Sequence, residues 1–201
     1  MDEESKKKSK QNKLLDEALK LFTKKGINDT SVQDIADNAK VAKGTFYLYF
    51  HDKYELRDIL IIKETEKLFN SAMNELGKTD ITDFVESVIF VVNYVIDELT
   101  KNKTLLKLIS KDLGWGVFNK AILNIYSKPE EESESSFKNL FLKGVKANNI
   151  PLENPEATLF MIIELVGSTC FTCILYQEPL SIEEFKPILY KQIRSMISGT
   201  K

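Results

Sequence analysis

Thr30-Ser-Val-Gln-Asp-Ile-Ala-Asp-Asn-Ala-Lys-Val-Ala-Lys-Gly-Thr-Phe-Tyr-Leu-Tyr-Phe50 is the stretch on which the architecture turns. Ser31-Val-Gln-Asp34 has the spacing of a capping box, with Asp in place of the usual Glu or Gln, and predicts a helix start. The short helix it opens would bury Val32, Ile35, Ala36 and Ala39. After a turn at Lys40-Val41, a second short helix is expected to run to about Phe50, burying Phe46 and Phe50 at i and i+4. Upstream, Leu14, Leu15, Ala18, Leu21 and Phe22 share one helical face, and Lys24-Lys25-Gly26 supplies a basic last turn and a glycine stop. Downstream, Asp52-Lys-Tyr-Glu55 restarts the chain in a long helix that ends at Gly77.

Two short helices joined by a tight turn and preceded by a third form a tri-helical unit of the helix-turn-helix kind. Its use is read from the residues left outside once the core is filled. With Phe46 and Phe50 facing in, Lys43, Gly44, Thr45, Tyr47 and Tyr49 remain. Tyrosine hydroxyls donate to phosphates, and the rings touch thymine methyls and sugars. Gly44 permits close approach of backbone to a duplex. Lys43 can reach a base edge or a phosphate. The helix start at Lys53 can hold a phosphate on its backbone N–H groups, and Thr30 and Ser31 can do the same at the first short helix.

Residues 30–56, and in particular Lys43-Gly-Thr-Phe-Tyr-Leu-Tyr-Phe50 followed by Asp52-Lys-Tyr-Glu-Leu56, resemble the DNA-binding region of the TetR family of bacterial regulators. The likeness covers about residues 10–60. It implies that Lys43, Gly44, Thr45 and Tyr47 sit in the major groove and that Tyr49 and Lys53 lie on phosphates. It further implies a homodimer on a near-palindromic operator of double-stranded DNA, and repression relieved by a small molecule. Two positions depart from the family pattern: Lys40 stands where glycine is usual in the turn, and Ala42 where a capping Ser is common. A left-handed Lys40 would cost about 1 kcal/mol relative to Gly.

The rest of the chain reads as helix throughout, so the expected fold is all-α: a three-helix DNA-binding domain joined by a long helix to a helical ligand-binding and dimerisation domain. The boundaries expected are a disordered basic tail at 1–8, a DNA-binding domain at 9–52, and the second domain at 53–201. Val88–Ile96 is β-branched enough for a strand, but Asp80–Lys101 is too long for one and lacks interior Gly or Pro. Further helices are expected at Leu105–Ile109, Val117–Tyr126, Phe137–Val145, from Pro155 to about Tyr176, and from Ser181 to the end, with Pro187 in or near a first turn. Tyr94, Trp115, Phe118, Phe141 and Phe160 are candidates for an apolar effector pocket, each with core packing as the alternative. Gly167, Cys170, Phe171 and Ile174, with Ile193 and Ile197 of the last helix, are candidates for half of an intermolecular four-helix bundle, with intramolecular core as the alternative. Lys6-Lys7-Lys8-Ser-Lys10 reads equally as a phosphate-tracking arm or a solvated tail.

Bulk properties exclude several classes. Net charge is −2, so the molecule is not a general basic coat for nucleic acid. Residues 1–60 carry +1 and the remainder −3, an asymmetry of the right sign but small. No apolar stretch reaches roughly 20 uninterrupted residues, since Asn93, Glu164 and Ser168 break the longest ones, so no membrane association is expected. The polar N-terminus is unlike an export signal, and a cytoplasmic location is expected. Two cysteines three apart on a helix read as buried small residues. A single histidine, His51, gives neither a metal site nor a catalytic constellation, so no metal, no cofactor and no enzymatic activity are expected. The leading reading is a ligand-responsive dimeric repressor. The alternatives are a regulator whose second domain binds a partner protein or nothing, or one that activates.

Overall fold

A computed structural model describes residues 3–110 and 137–198. The described residues contain helices and no strand. Compactness divides the chain into two units, Met1–Lys63 and Glu64–Lys201. The division falls inside the long helix rather than ahead of it at 52/53.

In the first unit, α1 (Glu3–Lys25) buries Leu14, Leu15, Ala18 and Phe22 and stops at Gly26, whose φ is +86°. This helix begins inside the tail expected to be disordered at 1–8. Glu, Lys, Gln and Ser form an uninterrupted helical run there, with no Gly or Pro to break it. The helix α2 (Val32–Asn38) opens on the expected capping box. The Asp34 carboxylate accepts from the Ser31 N–H and hydroxyl, both at 2.8 Å, and from the Lys25 ammonium at 2.9 Å. Chiefly through the Ser31 backbone bond, and then through Lys25, its pKa is held down at about 2.

The turn after α2 closes by Val41 N–H to the Ala36 carbonyl and Lys40 N–H to the Asp37 carbonyl, the paired bonds of a Schellman ending. That ending requires a left-handed residue, and Lys40 supplies it at φ +56°. The helix α3 (Lys43–Tyr47) starts at Ala42 without a side-chain cap. It is shorter than the expected run to Phe50. Beyond Tyr47 the chain tightens into bonds from Leu48 to Thr45 and from Tyr49 to Phe46. Phe46 and Phe50 both stay buried. Next, α4 (Lys53–Leu76) opens on Asp52, which accepts from the Tyr54 and Glu55 N–H groups at 2.8 Å each.

The second unit holds the rest of α4 with α5 (Phe84–Lys101), α6 (Lys103–Ser110), α7 (Phe137–Ala147), α8 (Pro155–Tyr176) and α9 (Ile182–Ser198). The β-branched run is helical, with Val88, Ile89, Val91, Val92, Val95, Ile96 and Leu99 buried along α5. Asp83 caps α5 and Asn154 caps α8, the latter with Pro155 at its first position. Ser181 and Glu184 form the cap of α9, and Pro187 lies just past its first turn. By length and composition α8 is apolar enough to cross a bilayer; in this unit Leu159, Ile162, Ile163, Cys170 and Ile174 are buried. The helix expected at Val117–Tyr126 lies outside the described residues.

A polar seam sets the pairing of α5 with α9. Arg194 grips Glu86 through two bonds of 2.7 and 2.8 Å, the Tyr190 hydroxyl donates to Asn93 Oδ1 at 2.6 Å, and Lys186 meets Asp97 at 2.5 Å. The order 86, 93, 97 against 194, 190, 186 makes the helices antiparallel. Bonding to Arg194 lowers the Glu86 pKa, while burial raises that of Tyr190.

Helix α7 packs still closer. Phe84 lies against Phe141 with centroids 5.6 Å apart, and a Cβ on Gly144 would fall 2.1 Å from the Phe84 ring. Gly144→Ala is therefore expected to destabilise the protein by about 1–3 kcal/mol despite alanine's better helix propensity. Urea denaturation checks it, and the penalty should shrink in a Phe84→Leu background. Lys40→Gly should act in the opposite sense, raising stability by about 1 kcal/mol through relief of the left-handed strain. Equal or lower stability of Lys40→Gly would contradict that origin.

Candidate nucleic-acid interface

The site is built by subtraction on α3. Phe46 is fully buried, its ring edge-on to Tyr47 at 5.4 Å and tilted against Phe50 at 5.4 Å. This aromatic anchor fixes the rotation of the helix and leaves Lys43, Gly44 and Tyr47 exposed, Tyr47 at 53%. Thr45 and Tyr49 are half-buried, the latter with its ring 6.3 Å from that of Phe50. A Cβ at Gly44 would meet nothing within 4 Å, and the residue has no positive φ. Neither packing nor backbone conformation requires glycine here, although a helical glycine costs roughly 0.5–1 kcal/mol relative to alanine.

Sequence reasoning missed Leu48, which is 75% exposed at the end of this face. The signal was present: position 48 lies two residues from each of the buried Phe46 and Phe50, so it points away from both.

The side chains of Thr30 and Lys53 are engaged within the unit. Thr30 is fully buried and its hydroxyl donates to the Gly26 carbonyl at 2.7 Å, so it is part of the core and not of the surface. Ser31 beside it is exposed, with its hydroxyl engaged by Asp34. The Lys53 ammonium is not directed outward. It donates to the carbonyls of Ile27, Asn28 and Thr30 at 2.8, 3.1 and 2.9 Å, with the Tyr54 ring 5.5 Å away. The α1–α2 loop ends in carbonyls that α2 cannot use, and the lysine that opens α4 satisfies them. At the start of α4, the N–H groups of Tyr54 and Glu55 already bind the Asp52 carboxylate, where a phosphate was expected.

His51 is exposed and lies 3.4 Å from Asp52. Among the described residues, no group of three His, Cys, Asp or Glu side chains is placed to hold a metal ion. Lys63 donates to Asn12 at 3.3 Å while Lys53 reaches the far end of α1, so α1 and α4 run antiparallel. Asn12, just after the lysine-rich start of α1, is thus held on the order of 15 Å along α4 from its first turn.

In the second unit, Phe160 is 47% exposed on α8, whereas Phe141 is buried against Phe84 and Tyr94 is half-buried. Trp115 and Phe118 lie outside the described residues. Of the residues expected at a dimer interface, Cys170, Ile174, Ile193 and Ile197 are consumed by the unit's own core, and burial pushes the Cys170 thiol up to about 12. Gly167 and Phe171 are half-buried. The exposed apolar residues of α8 and α9 are instead Phe160, Met161, Tyr176 and Ile188. Because α8 is apolar on nearly every side, its sequence gives no phase from which the outward face could be read.

An all-helical chain whose first unit presents a short exposed helix from a helix-turn-helix defines the class of helix-turn-helix transcriptional regulators. Comparison narrows the class. Residues 14–58 match the family described as bacterial regulatory proteins, tetR family. The uncharacterized HTH-type transcriptional regulator YhgD of Bacillus subtilis is 26% identical over 179 residues, covering 88% of this chain and 90% of that protein. YuxN of the same organism, also an uncharacterized HTH-type regulator, is 41% identical over 73 residues; the match takes in 36% of this chain and only 25% of that relative's length. Among solved structures, the regulator FadR from Bacillus subtilis in complex with stearoyl-CoA superposes with a TM-score of 0.65 at 18% identity, covering 94% of this chain and 99% of that one. Residues 14–58 thus carry the DNA-binding region of the TetR family of transcriptional regulators, and the chain as a whole has that family's all-helical fold.

Replacing Lys53 separates the two roles considered for it. Lys53→Met should cost about 1–3 kcal/mol of stability, because three carbonyls lose a charged donor. The salt dependence of DNA binding should keep its slope, since no phosphate contact is lost. A slope reduced by about 0.9 with unchanged stability would restore the phosphate contact.

Proposed function

We propose that this regulator is a homodimeric repressor that binds a near-palindromic operator through α3, with Lys43, Gly44, Thr45 and Tyr47 in the major groove and Tyr49 at the backbone, and is released by a small hydrophobic effector held in the second unit. The observation that carries the DNA contact is the face of α3. Glycine occupies a position where neither packing nor backbone asks for it, next to an exposed tyrosine and lysine. A major groove about 12 Å wide admits such a helix, and each side chain removed from its face brings the backbone nearer the bases.

The exposed residues Phe160, Met161, Tyr176 and Ile188 supply an apolar surface on α8 and α9 for a second copy. Support for an effector comes from the FadR complex, where a protein of this fold holds stearoyl-CoA. On this reading the first unit is the DNA-binding domain, the second unit carries effector binding and dimerisation, and the protein works in the cytoplasm with α8 as a core helix.

Lys43→Ala combined with Tyr47→Ala should abolish footprinting on the operator while sedimentation still shows a dimer; undiminished footprinting would remove α3 from the interface. Gly44→Ala is expected to raise thermal stability and weaken operator binding at once, because its two effects arise in different places. A monomer at micromolar concentration would overturn the dimer. A screen of acyl thioesters, drugs and metabolites in which none shifts the melting temperature or operator affinity would favour a partner-protein or ligand-free regulator.

A further inference from the structure

Leu48 is the most exposed large apolar side chain among the described residues, at 75%. Its backbone is fixed: the N–H bonds to the Thr45 carbonyl, and φ −75°, ψ −19° keep it helical. It stands one turn beyond Gly44 and next to Tyr47, so the three occupy one face at i, i+3 and i+4. The opposite side of the helix is filled by Phe46 and Phe50, which leave Leu48 no route into the core.

Single exposed leucines are ordinary on protein surfaces. This one is distinguished by its place, at the end of the face that Gly44 keeps low. A leucine side chain has no donor or acceptor, so it cannot bond a phosphate or a polar base edge. Among the base-edge groups that tell the pairs apart in the major groove, the apolar one is the 5-methyl of thymine. We propose that Leu48 is a specificity-determining residue that reads a thymine methyl in each operator half-site, a role that rests on the assignment of α3 as the recognition helix. Tyr47 would add ring contact to the same or a neighbouring base, and Gly44 would set the depth at which Leu48 arrives.

The test uses the full chain and a duplex selected with it from a random pool, in which each thymine is replaced in turn by deoxyuridine. Loss of one buried methyl is worth about a fourfold change in affinity. Wild type should lose about that much at one thymine per half-site. Leu48→Ala should bind the thymine duplex about as weakly as wild type binds the uracil duplex, and should lose nothing further at that position. Tyr47→Phe should keep the wild-type pattern there. Thymine penalties that are the same in wild type and Leu48→Ala overturn the proposal, as does uniform weakening with all methyl penalties intact, which would place Leu48 on the sugar–phosphate backbone. Leu48→Gln with an unchanged melting temperature serves as the second variant, and it too should lose the methyl dependence. If wild type enriches no duplex at all, the recognition-helix reading falls along with the proposal, whereas a selected duplex with Leu48-independent penalties sinks only the proposal.

Discussion

The Lys53 ammonium and the three carbonyls it binds hold the first unit together at the point where it has least apolar core to spare. Helices as short as α2 and α3, with seven and five residues, cannot bury enough surface to fix their own angles. The loop between α1 and α2 leaves carbonyls that no helix can take up, and one ammonium with three donors satisfies them from the start of α4. This contact joins residues more than twenty apart in sequence. It sets the end of α1, the start of α2 and the start of α4 at a common junction. Thr30, buried with its hydroxyl on Gly26, belongs to the same junction. With the frame held there, Phe46 and Phe50 dock from the remaining side and fix how α3 is rotated, and hence which of its residues face out.

The second unit solves a different problem. Its helices are long and apolar, so burial is plentiful and register is what must be chosen. The seam of Glu86, Asn93 and Asp97 against Arg194, Tyr190 and Lys186 chooses it, because shifting either helix by a turn would separate every pair. Partly exposed ion pairs contribute little net stability; their value here lies in excluding alternatives. Gly144 under the Phe84 ring does the same for α7, where any larger residue would lift the helix off α5.

How much of this could be read beforehand depended on whether the deciding contact was local. The capping box at Ser31, the glycine stop at Gly26, the cap and proline at Asn154-Pro155 and the burial of Phe46 and Phe50 all follow from spacings of a few residues. The left-handed turn at Lys40 and the uncapped start at Ala42 were legible from the same spacings once the motif was in view. The side-chain partners of Thr30 and Lys53 lie further off in the chain. Nothing within a few residues of Lys53 reveals that three carbonyls from residues 27–30 await it. The outward face of α8 was illegible for another reason: a helix apolar on nearly every side carries no phase, so Cys170 and Ile174 could not be told from Phe160 and Met161 without knowing where α5, α7 and α9 pack.

Engagement of the Thr30 hydroxyl and the Lys53 ammonium inside the first unit bears on how the proposed interface would bind. The remaining face is small and carries little charge, with Lys43 as its cation and the Asp52 carboxylate already seated at the start of α4. Phosphate neutralisation supplies most of the affinity of non-specific DNA binding. A face this poor in cations gains little from it, so a single copy would hold any duplex weakly and would depend on contacts to base edges. Doubling the face through a symmetric dimer turns the second contact into an intramolecular one and raises affinity without new charge. It also makes discrimination depend on both half-sites at once. On the proposed dimer, the near-neutral first unit and the apolar surface left on α8 and α9 act together: little attraction to DNA in general, and strong attraction only where two correctly spaced copies of the same base sequence meet two copies of α3.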